Sequence, residues 1–278
     1  MPLPARLPIL LCLLSLPPLR AQLPFYTDDP AVTERGKWHF EFFNEFDALQ
    51  HQYPNLRQNT ANYKLNYGLP HNLELDIDTP YLAIFRVVGT PSSTGNGDTN
   101  LGVKWNFRQE APGSRAPALS ASFYVEFPTG DARNQLGSGL NDYWLNFIVG
   151  KSLSDKTRIR TNAGYLFAGN TSTGVLGIQT TRGHVFAGGV SLLHDFTARL
   201  TLGGEIYGGF ANNGNLGRSQ LQSLIGGQYA IRNGVSLAFG LLGGKYVASP
   251  RIGGQIGISL DFPDVFRPPA PGPAPILH

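Results

Sequence analysis

Residues 62–78 read NYKLNYGLPHNLELDID, and two runs of alternating apolar and polar residues flank a short turn. The apolar positions run from Tyr63 to Tyr67 before the turn and from Leu73 to Ile77 after it. A period of two predicts β-strands with one apolar and one polar face, so this stretch predicts a hairpin. In a soluble sandwich the apolar face would meet a core, whereas in a membrane barrel it would meet lipid and the polar face would line a lumen.

Similar alternation recurs along the chain from residue 36 to residue 262 and predicts an all-β protein of about twelve strands. The candidate strands are 36–48, 60–69, 72–82, 98–108, 117–127, 141–150, 156–167, 183–194, 198–210, 219–230, 234–243 and 251–262. Their length matches the roughly 9–11 residues of a membrane strand better than the roughly 5–6 of a soluble strand. A mean hydropathy of −0.13 is low for a helical membrane protein but compatible with a barrel, whose strands are half polar.

The connections between these strands alternate in length, which favours the membrane barrel. Long connections are expected at 49–59, 83–97, 128–140, 168–182, 211–218 and 244–250. Short ones centre on Pro70, Ser154, Asp195 and 232–234, and the connection 109–116 is intermediate. Outer-membrane barrels place long loops outside and short turns in the periplasm, so the pattern predicts an antiparallel transmembrane barrel in the outer membrane of a Gram-negative bacterium. Outer-membrane lipid and the barrel-assembly machinery are then expected partners.

The two termini have different compositions from the strands. The apolar run after Arg6 predicts a cleaved signal peptide, residues 1–21, since it is shorter than the ~20 residues of a spanning helix. Leu10 and Leu11 before Cys12 argue against lipoprotein acylation. Cleavage would leave no cysteine and 20 basic against 19 acidic residues, so neither disulfides nor a nucleic-acid partner is expected. We therefore divide the chain into signal peptide 1–21, periplasmic N-terminal segment 22–35, barrel 36–262 and Pro-rich periplasmic tail 263–278.

Several short motifs, in order, resemble one family of outer-membrane barrels, the MetA-pathway phenol-degradation family. They are the opening FYTDDPAVTERGKWHFE, with its box Thr27, Asp28, Asp29 and Pro30, and the segments YGLPHNLELDI, GDTNLGVKWNF and EFPTGD. Together they span most of 27–131. The resemblance implies a transporter-like barrel and specifies no substrate. One departure is that the last strand closes on Phe262 and a proline-rich tail follows.

No pattern for an enzyme is present, so none is expected, nor a cofactor or a metal. A barrel hydrolase needs a nucleophile, a base and a group that orients the base, and neither Gly-x-Ser-x-Gly nor His-x-Ser-Asn occurs. His184 and His194 lie at opposite ends of one predicted strand and could not share a metal. The glycine-rich stretch 89–98 lacks the Lys-Ser/Thr of a phosphate loop.

Charged residues on the polar faces of the predicted strands are candidates to line the lumen. They are Lys64, Glu74, Asp76, Asp78, Lys104, Glu126, Arg158, Arg160, Arg199 and Glu205, with Lys37 and Glu41 in addition. Two interpretations stay open for each: a selective lining, or paired charges that merely fill the barrel. Two are likewise open for the box Thr27–Pro30, which either folds inward and restricts the pore or forms an Asx turn before the first strand.

The sequence thus predicts passive passage of a small solute, with apolar and aromatic solutes among the candidates. A structural barrel with a filled lumen is the alternative, and a hydrolase or a soluble secreted sandwich is less favoured. In the opening hairpin, a turn centred on Pro70 sets Lys64 opposite Asp76, Asn66 opposite Glu74 and Asn62 opposite Asp78. With Lys104 placed beside this patch, the remaining negative charge predicts a preference for cations.

Overall fold

The computed structural model describes residues 23–52, 54–169, 182–211, 220–246 and 248–263. The predicted signal peptide and residues 264–278 of the predicted tail lie outside them. The described chain forms two 3-10 turns, Pro70–Asn72 and Ala132–Asn134, and none of its helices is long and apolar enough to cross a membrane. Its strands are β1 Lys37–Gln52, β2 Asn55–Leu69, β3 Leu73–Arg86, β4 Ser93–Asn96, β5 Thr99–Arg108, β6 Ala118–Phe127, β7 Asp142–Ser152, β8 Thr157–Gly169, β9 Arg182–Asp195, β10 Leu200–Ala211, β11 Gln220–Arg232, β12 Val235–Gly244 and β13 Pro250–Pro263.

Twelve of these strands close into one antiparallel barrel. Each pairs with its neighbours in chain order, and β1 pairs with both β2 and β13, from Lys37 opposite Pro263 to Ala48 opposite Ile252. The remaining strand, β4, is a short addition that pairs with β3 alone. The predicted all-β barrel of about twelve strands is confirmed, and closure leaves no long unpaired edge.

The two faces of the opening hairpin meet different surroundings. Leu75 and Ile77 point outward and are 44% and 45% exposed, whereas Glu74 and Asp76 point inward and are each 2% exposed. The same inward-outward alternation continues in β5, where Val103 is 37% exposed and Lys104 is 3% exposed. The apolar face therefore forms the outer surface of the barrel, and the polar face lines an enclosed lumen.

The register of this hairpin differs from the predicted one by two residues. Lys64 lies opposite Asp78, Asn66 opposite Asp76, and Gly68 opposite Glu74. The reason is the turn, Pro70–Asn72, in which His71 and Asn72 both adopt left-handed backbone angles. The turn is thus centred on His71 and not on Pro70. Both registers keep the same side chains inside, because a shift of two preserves the face.

Where the chain is described, the connections alternate in length, apart from those between β1 and β2 and between β5 and β6. Short ones cover 70–72, 153–156, 196–199 and 233–234 at one end of the barrel, called here the short-turn end, where the longer connection 109–117 also lies. Connections 87–98 and 128–141 lie at the other, long-loop end. The predicted long connection 49–59 is wrong, because β1 continues to Gln52 and β2 begins at Asn55. Backbone pairing continues there although the apolar alternation fades, which is why the sequence pattern missed it.

The two described long connections pack against each other at the long-loop end. Asp98 accepts hydrogen bonds from the backbone N–H groups of Gly130, at 2.9 Å, and Ser138, at 2.5 Å. Leu136 is buried against Leu82 and Ile84 of β3. These contacts hold connection 128–141 over the β3 side of the barrel.

Candidate functional site in the lumen

Most of the predicted lumen residues lie on the inner wall. Glu74, Asp76 and Lys104 are buried at 2–3% exposure, and Glu126, Arg160 and Glu205 at 1–4%. Two rows of inward-facing positions cross the wall from β1 to β6. Glu41, Lys64, Asp78, Asn100 and Glu126 form one row; His39, Asn66, Asp76, Gly102 and Tyr124 form the next.

Three of the predicted lumen residues sit at the rim instead. Arg158, the second residue of β8, lies at the short-turn end, where its Nη1 is 2.7 Å from Asp195 Oδ2, and its side chain is 23% exposed. Arg199 is exposed on the turn between β9 and β10, and Lys37 is exposed at the start of β1. The alternation placed all three on a polar face, but none reaches the middle of the lumen.

The N-terminal residues 23–36, called here the lumen segment, run through the barrel. Residues 22–35 were expected in the periplasm, but their described part lies against the inner wall. At the short-turn end Arg35 pairs with Gly68 and the N–H of Thr33 donates to Glu74. At the other end of the segment, Gln228 Nε2 donates to the carbonyl oxygen of Leu23. The segment therefore crosses the lumen from the start of β1 to the wall formed by β11.

The box Thr27–Pro30 lies at the centre of this path. Lys104 Nζ contacts Asp28 Oδ1 at 3.3 Å as well as Glu74 Oε1 at 3.1 Å, and Arg160 pairs with Asp29. The backbone carbonyl of Pro30 accepts hydrogen bonds from Asn106 and Ser120. Asp29 Oδ1 also accepts the N–H of Ala31 at 2.9 Å, which is an Asx turn. The box therefore forms the predicted Asx turn and also lies inside the barrel.

Apolar side chains anchor the first residues of the lumen segment. Phe25, 3% exposed, packs with Leu193, Leu224 and Leu242 of β9, β11 and β12. A Cβ atom on Gly203 would lie 3.0 Å from the Phe25 ring, so this glycine leaves the space that the ring occupies. The inner wall is thus shaped for the segment by an apolar patch on the β9–β12 side and by ion pairs on the β3–β8 side.

Hydrogen bonds to buried carboxyl groups fix the middle of the lumen segment. The N–H groups of Tyr26 and Thr27 both donate to Glu205, at 3.0 and 2.5 Å. The Tyr26 hydroxyl donates to Glu45 Oε2 at 2.5 Å. Burial, together with the nearby Glu45 carboxyl, raises the pKa of the Tyr26 phenol well above its ordinary value, so the phenol stays protonated and serves as a donor.

Buried charge in the described residues is strongly one-sided. Two basic side chains are fully buried, Lys104 and Arg160, and the half-buried Lys64 also faces the lumen. His39 is buried too, but it is cationic only when protonated. Against them stand ten buried carboxyl groups: Asp28, Glu41, Glu45, Asp47, Glu74, Asp76, Asp98, Glu126, Asp142 and Glu205.

Sequence reasoning missed several of these groups. Glu45 and Asp47 follow the alternation of Glu41 on β1, and that pattern could have identified them. His39 lies on the same face, where Nδ1 contacts Asp261 at 2.5 Å and Nε2 contacts Glu41 at 3.1 Å. Among the described residues there is no cluster of three or more His, Cys, Asp or Glu side chains arranged to hold a metal ion.

A cavity of about 890 Å³ lies at the short-turn end of the lumen. The turns that carry Lys156, Arg199 and Arg232 surround it, and its inner end reaches Asp28 and Glu74. The lumen segment therefore forms the boundary between this vestibule and the remainder of the barrel.

A closed twelve-stranded antiparallel barrel with an apolar exterior and a polar lumen is an outer-membrane β-barrel, of the kind found in Gram-negative bacteria and surrounded by lipid. The chain belongs to the family described as "Putative MetA-pathway of phenol degradation", which matches residues 48–262. The family predicted from sequence motifs is thus confirmed, although the box Thr27–Pro30 precedes the matched range. No curated protein matches the sequence.

Solved structures of channels and porins share the fold at low sequence identity. The COG4313 outer membrane channel from Pseudomonas putida F1 has a TM-score of 0.68 at 15% identity, over 84% of this chain and 98% of that chain. The NanC porin has a TM-score of 0.55 at 10% identity, over 80% of this chain and 98% of that one. The KdgM porin has a TM-score of 0.54 at 9% identity, over 81% and 99%. At these identities the likeness shows the fold.

Proposed function

We propose that this protein is a passive channel for a small solute and that the lumen segment sets the width of its pore. The observation that carries the proposal is the vestibule of about 890 Å³, which leads from the short-turn end to Asp28 and Glu74 and ends at the lumen segment. A twelve-stranded barrel is wider than the eight-stranded barrels that side chains fill, so it has room for both a folded-in segment and a path. No catalytic role is assigned to any side chain in this proposal.

The charge of the lumen supports cationic solutes over apolar or aromatic ones. Ten carboxyl groups are buried in the described residues, against the basic side chains Lys64, Lys104 and Arg160 in the lumen, and the groups at the inner end of the vestibule are polar or charged. An anion entering this space would be repelled, and an apolar solute would have to displace water from carboxylates. We therefore propose small hydrophilic cations as the solute class, and the barrel-assembly machinery as the partner that inserts the chain.

The alternative is a structural barrel that passes nothing. The complete burial of Thr27, at 0% exposure, and the ion pairs of Asp28 and Asp29 favour it, because they show how tightly the lumen segment is held. A conductance measurement on a barrel in which the segment is locked or unlocked separates the two functions.

A reversible lock can be built between Pro30 and Gly150. A Cβ atom on Gly150 would lie 3.9 Å from the Pro30 Cβ, within the 3.5–4.5 Å range of a disulfide. The sole native cysteine, Cys12, lies in the predicted signal peptide. The double variant Pro30→Cys/Gly150→Cys, purified and placed in a planar bilayer, should show low conductance when oxidised and higher conductance after reduction.

The two single variants, Pro30→Cys and Gly150→Cys, are the matched controls and should not respond to reductant. Conductance that is equal in the oxidised and reduced double variant would show that the segment does not set the pore width. Absence of conductance in the wild type and in the reduced double variant would favour the structural barrel.

A further inference from the structure

Two acidic side chains lie in contact on the inner face of β1. Glu45 is 8% exposed and Asp47 is 6% exposed, and their carboxyl groups are within hydrogen-bonding distance of each other. Two carboxylates this close repel each other strongly unless a proton or a cation lies between them. In the described part of the chain, none of the ion pairs includes either residue. The pair therefore lacks a cationic side chain to balance it.

Neutral groups surround the pair on each neighbouring element. On β13, Gln255 lies directly opposite Glu45, and its Nε2 donates to Glu45 Oε2 at 3.0 Å. On β2, Thr60 and Gln58 are the partners of Glu45 and Asp47. The lumen segment contributes the Tyr26 hydroxyl, which donates to the same Glu45 oxygen.

The backbone of β13 determines where the Asp47 carboxyl group lies. Gly253 lies opposite Asp47, and a Cβ atom there would come within 2.1 Å of Asp47 Oδ1. Only a residue without a side chain lets this oxygen approach the neighbouring strand. The carboxyl group is thus held at the seam between β1 and β13, where the barrel closes.

Two oxygen atoms at this seam are buried without a hydrogen-bond partner. They are Asp47 Oδ1 and Gln255 Oε1, and each belongs to a residue that is 6% exposed. The Gln255 side chain points into the cluster, since its other terminal atom contacts Glu45. Both oxygens can therefore accept a cation or a water molecule beside the carboxyl pair.

We propose that Glu45, Asp47 and Gln255 form a binding site for Ca²⁺ at the β1–β13 seam. Calcium prefers carboxylate and amide oxygens, and its charge balances the two carboxylates. Because Ca²⁺ takes six to eight oxygens, water completes its shell here. With two carboxylates the site should be weak, with a dissociation constant of about 10⁻⁴–10⁻³ M, as in extracellular calcium modules. The bound ion would join the first and last strands of the barrel beside Tyr26.

Calcium binding to the refolded full-length protein tests this site. The protein is stripped with EDTA, held in detergent at alkaline pH, where protons compete least, and titrated with Ca²⁺ in a calorimeter. The wild type should bind one Ca²⁺ per chain and melt at a higher temperature with the ion than without it. Asp47→Asn should weaken binding at least tenfold, whereas Asp131→Asn, on an exposed loop, should leave it unchanged.

The calcium-free melting temperature separates lost binding from lost folding. Asp47→Asn removes one of two repelling charges, so it should melt at or above the temperature of the calcium-free wild type. If this variant fails to fold, Gln255→Met, which removes the unpartnered amide oxygen, should also weaken binding. Unchanged Ca²⁺ affinity in Asp47→Asn or Gln255→Met would overturn the site. A wild type that shows no saturable Ca²⁺ binding would also overturn it, and would mean that the two carboxyl groups share a proton instead.

Discussion

Replacing Lys104 should destabilise the barrel more than replacing any exposed lysine. The Lys104 side chain is 4% exposed and bridges Glu74 on the wall, 2% exposed, to Asp28 on the lumen segment, 7% exposed. If Lys104 merely faced a lumen, Lys104→Leu would be tolerated, as the alternation alone suggests. The structure predicts otherwise, because the substitution leaves two buried carboxylates without their shared cation.

The size of the effect follows from the burial of this bridge. Removing one partner of a buried ion pair costs about 3–5 kcal/mol, because the remaining charge stays buried and uncompensated. The matched control is Lys37→Leu, whose partner Glu34 is at the surface: the two side chains are 49% and 50% exposed. Exposed pairs contribute only about 0–1 kcal/mol, so the two variants should differ clearly.

The measurement is urea unfolding of the protein folded into phospholipid vesicles. Tryptophan fluorescence reports on the barrel itself, because Trp38, Trp105 and Trp144 lie in β1, β5 and β7. Adding Glu74→Gln to Lys104→Leu should recover part of the lost free energy, since one of the two stranded charges is removed. Equal losses in Lys104→Leu and Lys37→Leu would refute the bridge.

Three further predictions concern orientation, the lipid face and selectivity. Gly89 and Gly113 suit an inserted epitope, because both have positive φ and open space around them, whereas Asn96 of β4 is paired with Tyr81 of β3. An epitope at Gly89 should be labelled on intact cells and one at Gly113 only after permeabilisation; the reverse pattern would invert the barrel. Val103→Arg, on the lipid face, should lower the unfolding free energy by about 2–4 kcal/mol, and a silent substitution would contradict the outward assignment. If the protein conducts, Lys64→Ala should increase its preference for cations and Asp76→Asn should decrease it, as measured by reversal potentials across a salt gradient. No change in either variant would mean that these charges do not border the path.

Alternation was enough to predict the barrel because side chains on a strand point to opposite faces. Leu75 and Glu74 need no knowledge of distant residues to be assigned to lipid and lumen, since the local pattern decides. The register was harder to predict, because it depends on the backbone angles of the turn. His71 and Asn72 both adopt left-handed angles there, and two such residues in succession are hard to foresee from sequence. The fourth strand, Ser93–Asn96, has no alternation at all and forms only by pairing with β3.

The lumen site was predictable residue by residue but not as an arrangement. Lys104 and Glu74 are register partners on adjacent strands, so their contact follows once the strands are aligned. The contact of Lys104 with Asp28 joins residues 76 positions apart, and the hydrogen bond from Gln228 to Leu23 joins residues 205 apart. Strand periodicity carries no information on such pairs. The sequence therefore left open whether the box Thr27–Pro30 forms a turn or folds inward, and in the structure it forms a turn inside the barrel.

The path of the lumen segment has a consequence for the order in which the protein is assembled. The segment precedes every strand in synthesis, yet the N–H groups of Tyr26 and Thr27 find their acceptor 179 and 178 residues later, on β10. Contacts of such sequence separation form slowly, because a long loop of chain must be closed before they are made. A segment that is made before every strand is therefore among the last parts of the chain to reach its final place. Until β10 and β11 have joined the sheet, Phe25 and the carboxylates of the box have no wall to pack against and must be kept from other partners.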